Sequence, residues 1–370
     1  MTFCFGLKYK DSVYLFSDSA VTGGPSLGDT PYLTSFGEAS IVGPASQVQE
    51  GALKLVRLGD DCFAAIAGDA HRAFEGIASM RPLYSSTIAI PTLLGFLAGS
   101  IDTTSEEHFE YLFARSGPNG SELWHWSTTA PARPTAIQSN AAIGSLTSWH
   151  AEMAGWTANL LRAGSIDEHR MLTTMAAVMQ SFGLRDHLLT QGVGGAFCGV
   201  HVGPTGIRWL PDTNYVVHDQ KLSTTELVSV FSRDGAVAVS SSFTQDNRVF
   251  LNSIDHRNPE SWTNQWLASL KSCFDECAAK VWVFLGYEAF TVHIIEAETA
   301  VTDMPCCRLT IIGAGRYDLA IHPLLSQVLS YPLEDRGDGS LPARLSYVSA
   351  ENCLEHAYRF LASRPTQLAP

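Results

Sequence analysis

The first seventy residues show two pairs of short runs in which apolar and polar positions alternate. Residues 2–9 and 12–18 form the first pair, with Lys10–Asp11 between them. Residues 53–58 and 62–67 form the second pair. Alternation over six to eight residues around a polar turn is typical of antiparallel strands. The pattern therefore predicts two hairpins at the start of the chain.

The segment between the hairpins, 23–51, is rich in Gly and Pro and has little periodicity. It is predicted to be a long loop, and loops of that length are often functional. Apolar residues then recur at helical spacing from residue 70, and Asp69 is placed to cap that helix. Helices are predicted at 70–80, 91–101, 147–163 and 166–182, and strands at 108–115, 122–126, 141–145, 196–202 and 207–210.

The length of 370 residues favours two domains. Blocks of strands alternate with pairs of helices up to residue 210, which indicates sheets covered by helices in an α+β domain. The stretch 211–221 is interpreted as a boundary, giving domains at 1–217 and 218–370. The second is expected to be an accessory α/β domain, with strands at 236–241, 249–252, 281–285, 290–295 and 308–312 and helices at 259–279, 323–330 and 350–362.

Composition excludes several functional classes. The chain carries 37 acidic and 24 basic residues, a net charge of −13, so it lacks the basic surface that nucleic-acid binding requires. No apolar run reaches the length of a membrane span, and the N-terminus does not read as a signal peptide. The eight cysteines are scattered and suggest no disulfide framework, so we expect a cytoplasmic protein with reduced thiols. Cys273 and Cys277 share a helical spacing but lack nearby histidines, and we expect no metal.

The first candidate for a catalytic residue lies at the N-terminus of the chain. Met1 precedes Thr2, and an initiator methionine is normally removed before a small residue. Thr2 would then carry a free α-amine, with a pKa near 8, beside its own hydroxyl, so the amine can act as general base for the hydroxyl. Such a nucleophile also needs a cation, a carboxylate to orient that cation, and an N–H group for the oxyanion.

Three further residues supply these parts. Asp18 ends the second strand, Lys54 opens the third, and Gly68 precedes the helix at 70–80. Backbone N–H groups are free at a helix N-terminus, which suits Gly68 to oxyanion binding. Each residue alone has an ordinary structural interpretation as a turn residue, a strand lysine or a turn glycine.

Together these residues resemble the proteasome β-subunit family of N-terminal-nucleophile (Ntn) hydrolases. The resemblance covers about residues 2–215 and rests on Thr2, Asp18-Ser19-x-x-Thr22, Lys54-Leu55, Ala67-Gly68-Asp69-Ala70 and Gly144-Ser145 ahead of a helix pair. It implies a four-layer αββα sandwich and an amide hydrolase, most readily a peptidase, that needs no cofactor. The implied catalytic residues are Thr2, Asp18, Lys54, Gly68 and Ser145, the last of which would help to position the amine.

The same resemblance implies how substrate binds. Thr22 and Ala70 would hold a peptide or small amide substrate as an added strand, and Val21 and Ile66 would border the first specificity pocket. It also implies that the chain assembles into a homo-oligomer, as a ring or a helical array.

The sequence departs from the family at one important run. Gln191-Gly192-Val193-Gly194-Gly195 stands where the family has an Asp and a Ser that support the amine. The long loop after Thr22 and about 150 extra C-terminal residues also distinguish this sequence from the family. The sequence resembles more closely the bacterial homologues called Anbu. Two alternatives therefore stay open: a catalytically silent assembly or binding protein, and a non-peptide amidase on the same fold.

Overall fold

The computed structural model of the chain contains both strands and helices, arranged as several β-sheets with helices packed against them. The structure describes residues 2–22, 33–39, 48–101, 107–162, 166–233, 236–244, 248–252, 278–288, 290–304, 306–313, 316–329 and 344–363. The chain is therefore of mixed α and β class.

Strands outnumber helices in the described residues. The strands are β1 Phe3–Tyr9, β2 Ser12–Ser17, β3 Ala20–Thr22, β4 Val48–Glu50, β5 Leu55–Gly59, β6 Cys62–Gly68, β7 Phe109–Arg115, β8 Glu122–Ser127, β9 Thr135–Ile137, β10 Asn140–Gly144, β11 Cys198–Gly203, β12 Gly206–Trp209, β13 Thr213–His218, β14 Thr225–Arg233, β15 Ala236–Ser241, β16 Arg248–Asn252, β17 Ala279–Gly286, β18 Thr291–Val301, β19 Asp303–Met304, β20 Cys307–Gly313, β21 Arg316–Ile321 and β22 Arg344–Ser349. The α-helices are α1 Ala70–Met80, α2 Ile90–Ser100, α3 Thr147–Arg162, α4 Glu168–Arg185, α5 Pro323–Leu329 and α6 Cys353–Ala362, and short 3₁₀ helices lie at Arg81–Leu83, Leu188–Gln191 and Ala350–Asn352.

The first sheet contains five antiparallel strands in the order β10-β1-β2-β11-β12. The predicted N-terminal hairpin is confirmed as β1 and β2. Strand β2 is buried along its whole length, because Val13 and Leu15 face one core while Tyr14 and Phe16 face another. The first sheet is therefore covered on both faces.

The second sheet is an antiparallel meander in the order β5-β6-β7-β8-β9. Successive side chains of its strands point alternately into two cores. On β6, Phe63 and Ala65 face the core shared with the first sheet, and Ala64 and Ile66 face the core on the other side. The β7–β8 hairpin confirms the predicted turn between them. The second sheet is also buried on both faces.

Each of these two sheets carries a pair of helices on the face turned away from the shared core. Helices α3 and α4 contribute Met153 and Met175 to a core with Phe5 of β1. Helices α1 and α2 contribute Phe74 and Leu94 to a core that contains residues of β6 and β7. The predicted cap is confirmed, since the Asp69 carboxylate accepts the N–H of Arg72 at 2.8 Å. In the described part of the chain, none of the helices has the length and apolar character needed to cross a bilayer.

A third sheet of seven strands follows in the order β16-β15-β14-β13-β17-β18-β22. The β13–β17 and β18–β22 pairs are parallel and the other pairs antiparallel. One face, with Tyr215 and Val217, joins the core between the first two sheets. The other face, with Trp282 and Phe284, packs on α5 and α6. Two small sheets, β3–β4 and β19-β20-β21, complete the described topology.

The stretch 211–221, interpreted from sequence as a boundary, contains the central strand β13. All six residues of β13 are buried, so it lacks the alternation that marks a half-exposed strand. The predicted boundary after residue 217 falls inside this strand, whose two neighbours, β14 and β17, both come later in the chain. Division at 217 therefore separates β13 from the strands that pair with it.

One further prediction is corrected in part, and another concerns residues that lie mostly outside the described ranges. The sequence predicts a loop over the whole segment 23–51, but its last residues form β4, which pairs with β3. Three residues are too short a run to show a period. The predicted helix at 259–279 lies outside the described residues as far as position 277, and its last residue, Ala279, begins β17 instead.

We expect a fragment of residues 1–217 to be much less stable than the full chain. The truncation removes both neighbours of β13 and exposes the buried Val216, because the core around this side chain is built from residues after 217, such as Trp282 and Phe284. Thermal unfolding followed by circular dichroism checks this. A fragment that unfolds cooperatively at the temperature of the full chain would show instead that residues 1–217 fold independently.

Candidate active site

Thr2 lies at the start of β1 and is 5% exposed. Its carbonyl oxygen accepts the backbone N–H of Ser145 at 2.9 Å, just beyond the end of β10. The next residue, Phe3, donates its N–H to the Asp18 carboxylate at 3.0 Å. These two contacts fix the peptide unit that joins Thr2 to Phe3, while Met1 lies outside the described residues.

A buried ion pair stands beside Thr2. The Lys54 ammonium donates to Asp18 Oδ1 at 2.6 Å and to the carbonyl oxygen of Ala20 at 2.5 Å. Both side chains are almost inaccessible, with exposures of 3% for Lys54 and 0% for Asp18. The second carboxylate oxygen of Asp18 accepts the N–H of Gly194 at 3.2 Å. The pair is thus enclosed and closely hydrogen-bonded, as a buried charge pair must be.

A cavity of about 150 Å³ brings the predicted site residues together. It is lined by Thr2, Val21, Thr22, Lys54, Ile66, Ala67, Gly68, Asp69 and Ala70. Small-molecule pockets usually span about 300–1,000 Å³, so this cavity suits a single side chain or the reacting group of a longer ligand. Asp18 stands behind Lys54, and Ser145 contacts Thr2 through its backbone. Every predicted site residue therefore lies in the cavity or contacts a residue that lines it.

Gly68 joins β6 to α1 and lines the same cavity as Thr2. Its φ of +90° is unfavourable for residues with a side chain, and a Cβ there would collide with the carbonyl oxygen of His108. This backbone requirement places Gly68 next to the N-terminus of α1. Asp69 lines the cavity as well, although the sequence indicates it only as a helix cap.

Two buried cysteines close to the ion pair are poor nucleophiles. Burial raises the pKa of the Cys4 and Cys198 thiols well above its usual range. The Cys4 thiol donates to the carbonyl oxygen of Ile66 at 3.2 Å. Since the thiolate is the reactive form, neither residue competes with Thr2 for the role of nucleophile.

A buried polar network that sequence reasoning missed lies on the far side of Asp18. Glu50, on β4, accepts the Ala196 N–H at 2.8 Å and the Ser19 hydroxyl at 3.1 Å. Glu38 accepts the N–H of Gly195 at 2.9 Å. Both acids come from the segment predicted to be a loop, and the only sequence signal is the presence of acids in a Gly-rich stretch. Within the described residues, no group of His, Cys, Asp or Glu is arranged to hold a metal ion.

The turn that follows the 3₁₀ helix Leu188–Gln191 is the place where the sequence departs from the proteasome-like pattern. Gly195 has a φ of +69°, and a Cβ there would come within 2.5 Å of Glu50 Cγ and Ser19 Oγ. On α4, Gln180 holds both sides of the turn, donating to the carbonyl oxygen of Gly195 and accepting the N–H of Phe197. The turn is therefore specified by local contacts.

In comparisons with known proteins, no protein-family model and no curated protein sequence matches this chain.

We expect the Gly144→Ala substitution to destabilise the protein more than a positive φ alone explains. Gly144 has a φ of +102°, and a Cβ there would collide with the Thr2 carbonyl oxygen. Gly206→Ala is the matched control, because its φ is +108° but the space around it is open. Backbone strain of this kind costs about 1–3 kcal/mol, and the clash adds to it. Denaturant unfolding measures both variants; equal costs would contradict the close approach of Gly144 to Thr2.

Proposed function

We propose that this chain is a threonine-type amide hydrolase, acting on peptides, whose first two sheets and their helices form a four-layer αββα Ntn-hydrolase sandwich of the proteasome β-subunit type. The observation that supports this most is a single cavity lined by Thr2, Lys54 and Gly68, with Asp18 bound to Lys54 at 2.6 Å. A hydroxyl, a buried cation and a helix N-terminus then meet where an amide carbonyl would react.

Catalysis in this proposal begins with removal of Met1, which leaves Thr2 with a free amine. The amine has a pKa of about 7.7–8.0 in ordinary surroundings, so it accepts the proton of the Thr2 hydroxyl near neutral pH. The hydroxyl oxygen attacks the amide carbonyl carbon and forms a tetrahedral intermediate. The leaving amine takes the proton as the C–N bond breaks, and water then hydrolyses the Thr2 ester.

Lys54 stabilises the developing negative charge on the Thr2 oxygen. An ammonium group has three N–H donors, and two of them bind Asp18 and the carbonyl oxygen of Ala20. Among the described residues the third has no protein acceptor, so it can serve a group inside the cavity that Lys54 lines. Since both charges are buried, the field of the ammonium is weakly screened at the reacting oxygen.

Gly68 provides the oxyanion site. It precedes α1, whose N-terminus carries a partial positive charge. A donor held by a rigid turn costs no reorganisation when charge develops, and removal of one such donor typically lowers kcat about 10²–10³-fold. Ser145 contributes through its backbone N–H, which fixes the carbonyl of Thr2.

Substrate would lie between β3 and the start of α1. Thr22 ends β3 and Ala70 begins α1, and both residues line the cavity. Val21 and Ile66 give this cavity apolar walls. An extended peptide bound here would add a strand through its backbone and place one side chain in the cavity.

Two alternative functions remain open, because the turn around Gly194 lacks the Asp and Ser that support the amine in the family. One is a silent assembly or binding protein, and the other is a non-peptide amidase. We also propose self-association into a homo-oligomer in a cytoplasmic setting. Trp149 and Trp156 lie seven residues apart on α3, a spacing that suits either the core or an interface, and both pack on Phe182 within the chain, so they do not support the interface.

We expect the mature protein to begin at Thr2 and to lose turnover when Thr2 or Lys54 is replaced by Ala. Thr2→Ala also permits removal of Met1, so it isolates the hydroxyl. Lys54→Ala removes the cation and leaves Asp18 buried without it, which lowers activity by about a hundredfold or more and costs about 3–5 kcal/mol of stability. Intact mass and hydrolysis of fluorogenic peptides provide the measurements.

Lys280→Ala serves as the matched control, because Lys280 is an exposed lysine on β17 and its loss should leave activity unchanged. Circular dichroism verifies that each variant is folded. Retention of Met1 in active protein, or normal rates in folded Lys54→Ala, would refute the mechanism. Activity on simple amides without activity on peptides would favour the amidase.

We expect cleavage after medium apolar residues in short extended peptides. Val21 and Ile66 cannot compensate a buried charge, and the charged residues that line the cavity already have partners, Lys54 in Asp18 and Asp69 in the N–H of Arg72. Peptides with Lys, Arg, Asp or Glu at that position should therefore react poorly. Selectivity among apolar residues should be loose, because one methylene in such a pocket is worth about 1–3 kcal/mol. A peptide library that varies only the residue before the scissile bond tests this; preferred cleavage after a charged residue would refute the pocket assignment.

A further inference from the structure

One turn holds three carboxylates from three separate segments, of which Asp18 and Glu50 are buried and Glu38 is half-buried. Its consecutive backbone amides each donate to a different acid: Gly194 to Asp18 at 3.2 Å, Gly195 to Glu38 at 2.9 Å and Ala196 to Glu50 at 2.8 Å. Successive N–H groups of this kind form a concave anion site. The anions in this turn are side chains of the same protein, so the turn ties the segments 33–39 and 48–50 to the end of β2.

One of the three acids, Asp18, has a cationic partner, the buried Lys54, and no other Lys, Arg or His forms an ion pair with these acids among the described residues. Three ionised carboxylates would therefore leave negative charge uncompensated around a turn where Asp18 and Glu50 are buried. Nearby negative charge favours protonation of the acid whose charged form is least well stabilised.

The hydrogen bonds identify which acid that is. Asp18 accepts from the Lys54 ammonium and from two backbone N–H groups. Glu50 accepts from two backbone N–H groups and two hydroxyls, those of Ser19 and Ser35. Both carboxylates therefore have their oxygens well supplied with hydrogen-bond donors.

Glu38 is held far less well. Its Oε2 accepts the Gly195 N–H and the Thr34 hydroxyl, both at 2.9 Å, and its Oε1 is inaccessible and has no hydrogen-bond partner in the described part of the chain. An ionised carboxylate with a bare buried oxygen is costly, whereas a protonated one is not.

We propose that Glu38 is the proton-holding member of this cluster and acts as a positioning residue, because its ionisation tightens the turn that supports Asp18 and Lys54. Burial, assisted by the charges of Glu50 and Asp18, raises the pKa of the Glu38 carboxyl to about 7. The residue also lines a cavity of about 600 Å³, which gives the proton a route to solvent.

The turn is connected to Lys54 by two paths. Gly194 donates its N–H to Asp18 and accepts the N–H of Ala20 at 3.2 Å through its carbonyl oxygen. Asp18 and the carbonyl of Ala20 are the two acceptors of the Lys54 ammonium. A charged acceptor on Gly195 binds its N–H more strongly than a neutral one, so ionised Glu38 fixes the residue next to both acceptors.

Other titratable groups face the same region. Glu50, on β4, and Asp18, at the end of β2, lie near Glu38. Three further titratable residues line the 600 Å³ cavity together with Glu38, namely His187, Glu226 and Tyr287. Glu226 provides a matched control, because its carboxylate accepts the Ser242 hydroxyl and has no bond to the turn.

The first test does not depend on enzymatic activity. Folding retains a proton on Glu38 that the unfolded chain releases between pH 4.5 and about 7, so stability falls as the pH rises through this window. Comparison of unfolding free energies across the window should show that Glu38→Gln removes close to one bound proton from the folded state at about pH 6, and that Glu226→Gln does not. Infrared difference spectra of the wild type should show a protonated carboxyl lost near pH 7, which keeps the test valid if Glu38→Gln folds poorly.

The second test rests on the proposed function. Glu38→Gln should match the wild type in kcat/KM below the transition and fall roughly three- to tenfold below it above the transition, because the neutral amide holds Gly195 less firmly. Equal proton uptake in wild type and Glu38→Gln, with no carboxyl band, would overturn the assignment of the proton to Glu38. Titration of Glu38 with an unchanged pH profile would overturn its positioning role. Titration without hydrolysis by any form would refute the proposed function and leave the proton on Glu38 intact.

Discussion

The burial of the Lys54 ammonium against Asp18 is the interaction on which the rest of the site depends. Removal of two charges from water costs several kcal/mol for each ion, and attraction offsets this only when every remaining donor and acceptor is satisfied. The structure meets that requirement with backbone groups from Phe3, Ala20 and Gly194. Those groups belong to β1, β3 and the turn after the 3₁₀ helix, so one ion pair constrains three distant segments.

Close approach of other groups to the backbone explains why glycine occupies particular positions around the site. A side chain at Gly144 would collide with Thr2, one at Gly68 with His108, and one at Gly195 with Glu50 and Ser19. In each case the backbone lies so close to another group that only glycine fits, and this closeness lets a backbone N–H or carbonyl nearby form a hydrogen bond with a buried atom. In the run Gln191–Gly195, the backbone amides of Gly194 and Gly195 bind carboxylates that come from other segments of the chain.

The sequence predicts the site better than its surroundings. Thr2, Lys54 and Gly68 lie at the ends of strongly patterned strands, and the resemblance to the proteasome-like pattern predicts that they lie together, as they do in the cavity. Glu38 and Glu50 could not be found in this way, because they lie in a segment with no periodicity and become buried only through contacts with residues about 150 positions away. Strand β13 escapes prediction for a related reason: a strand buried on both faces shows no alternation.

The energetics of the ion pair also bear on the choice between a hydrolase and a silent protein. A buried ion pair seldom stabilises a fold more than well-packed apolar residues of the same volume do. A protein that only assembles or binds gains little from an ammonium enclosed beside a hydroxyl, with one donor left for the cavity. A hydrolase gains directly, because that charge acts on the oxygen where negative charge develops in the transition state. Because burial of Lys54 costs free energy, its presence in the cavity is better explained by a catalytic role than by a contribution to the stability of the fold.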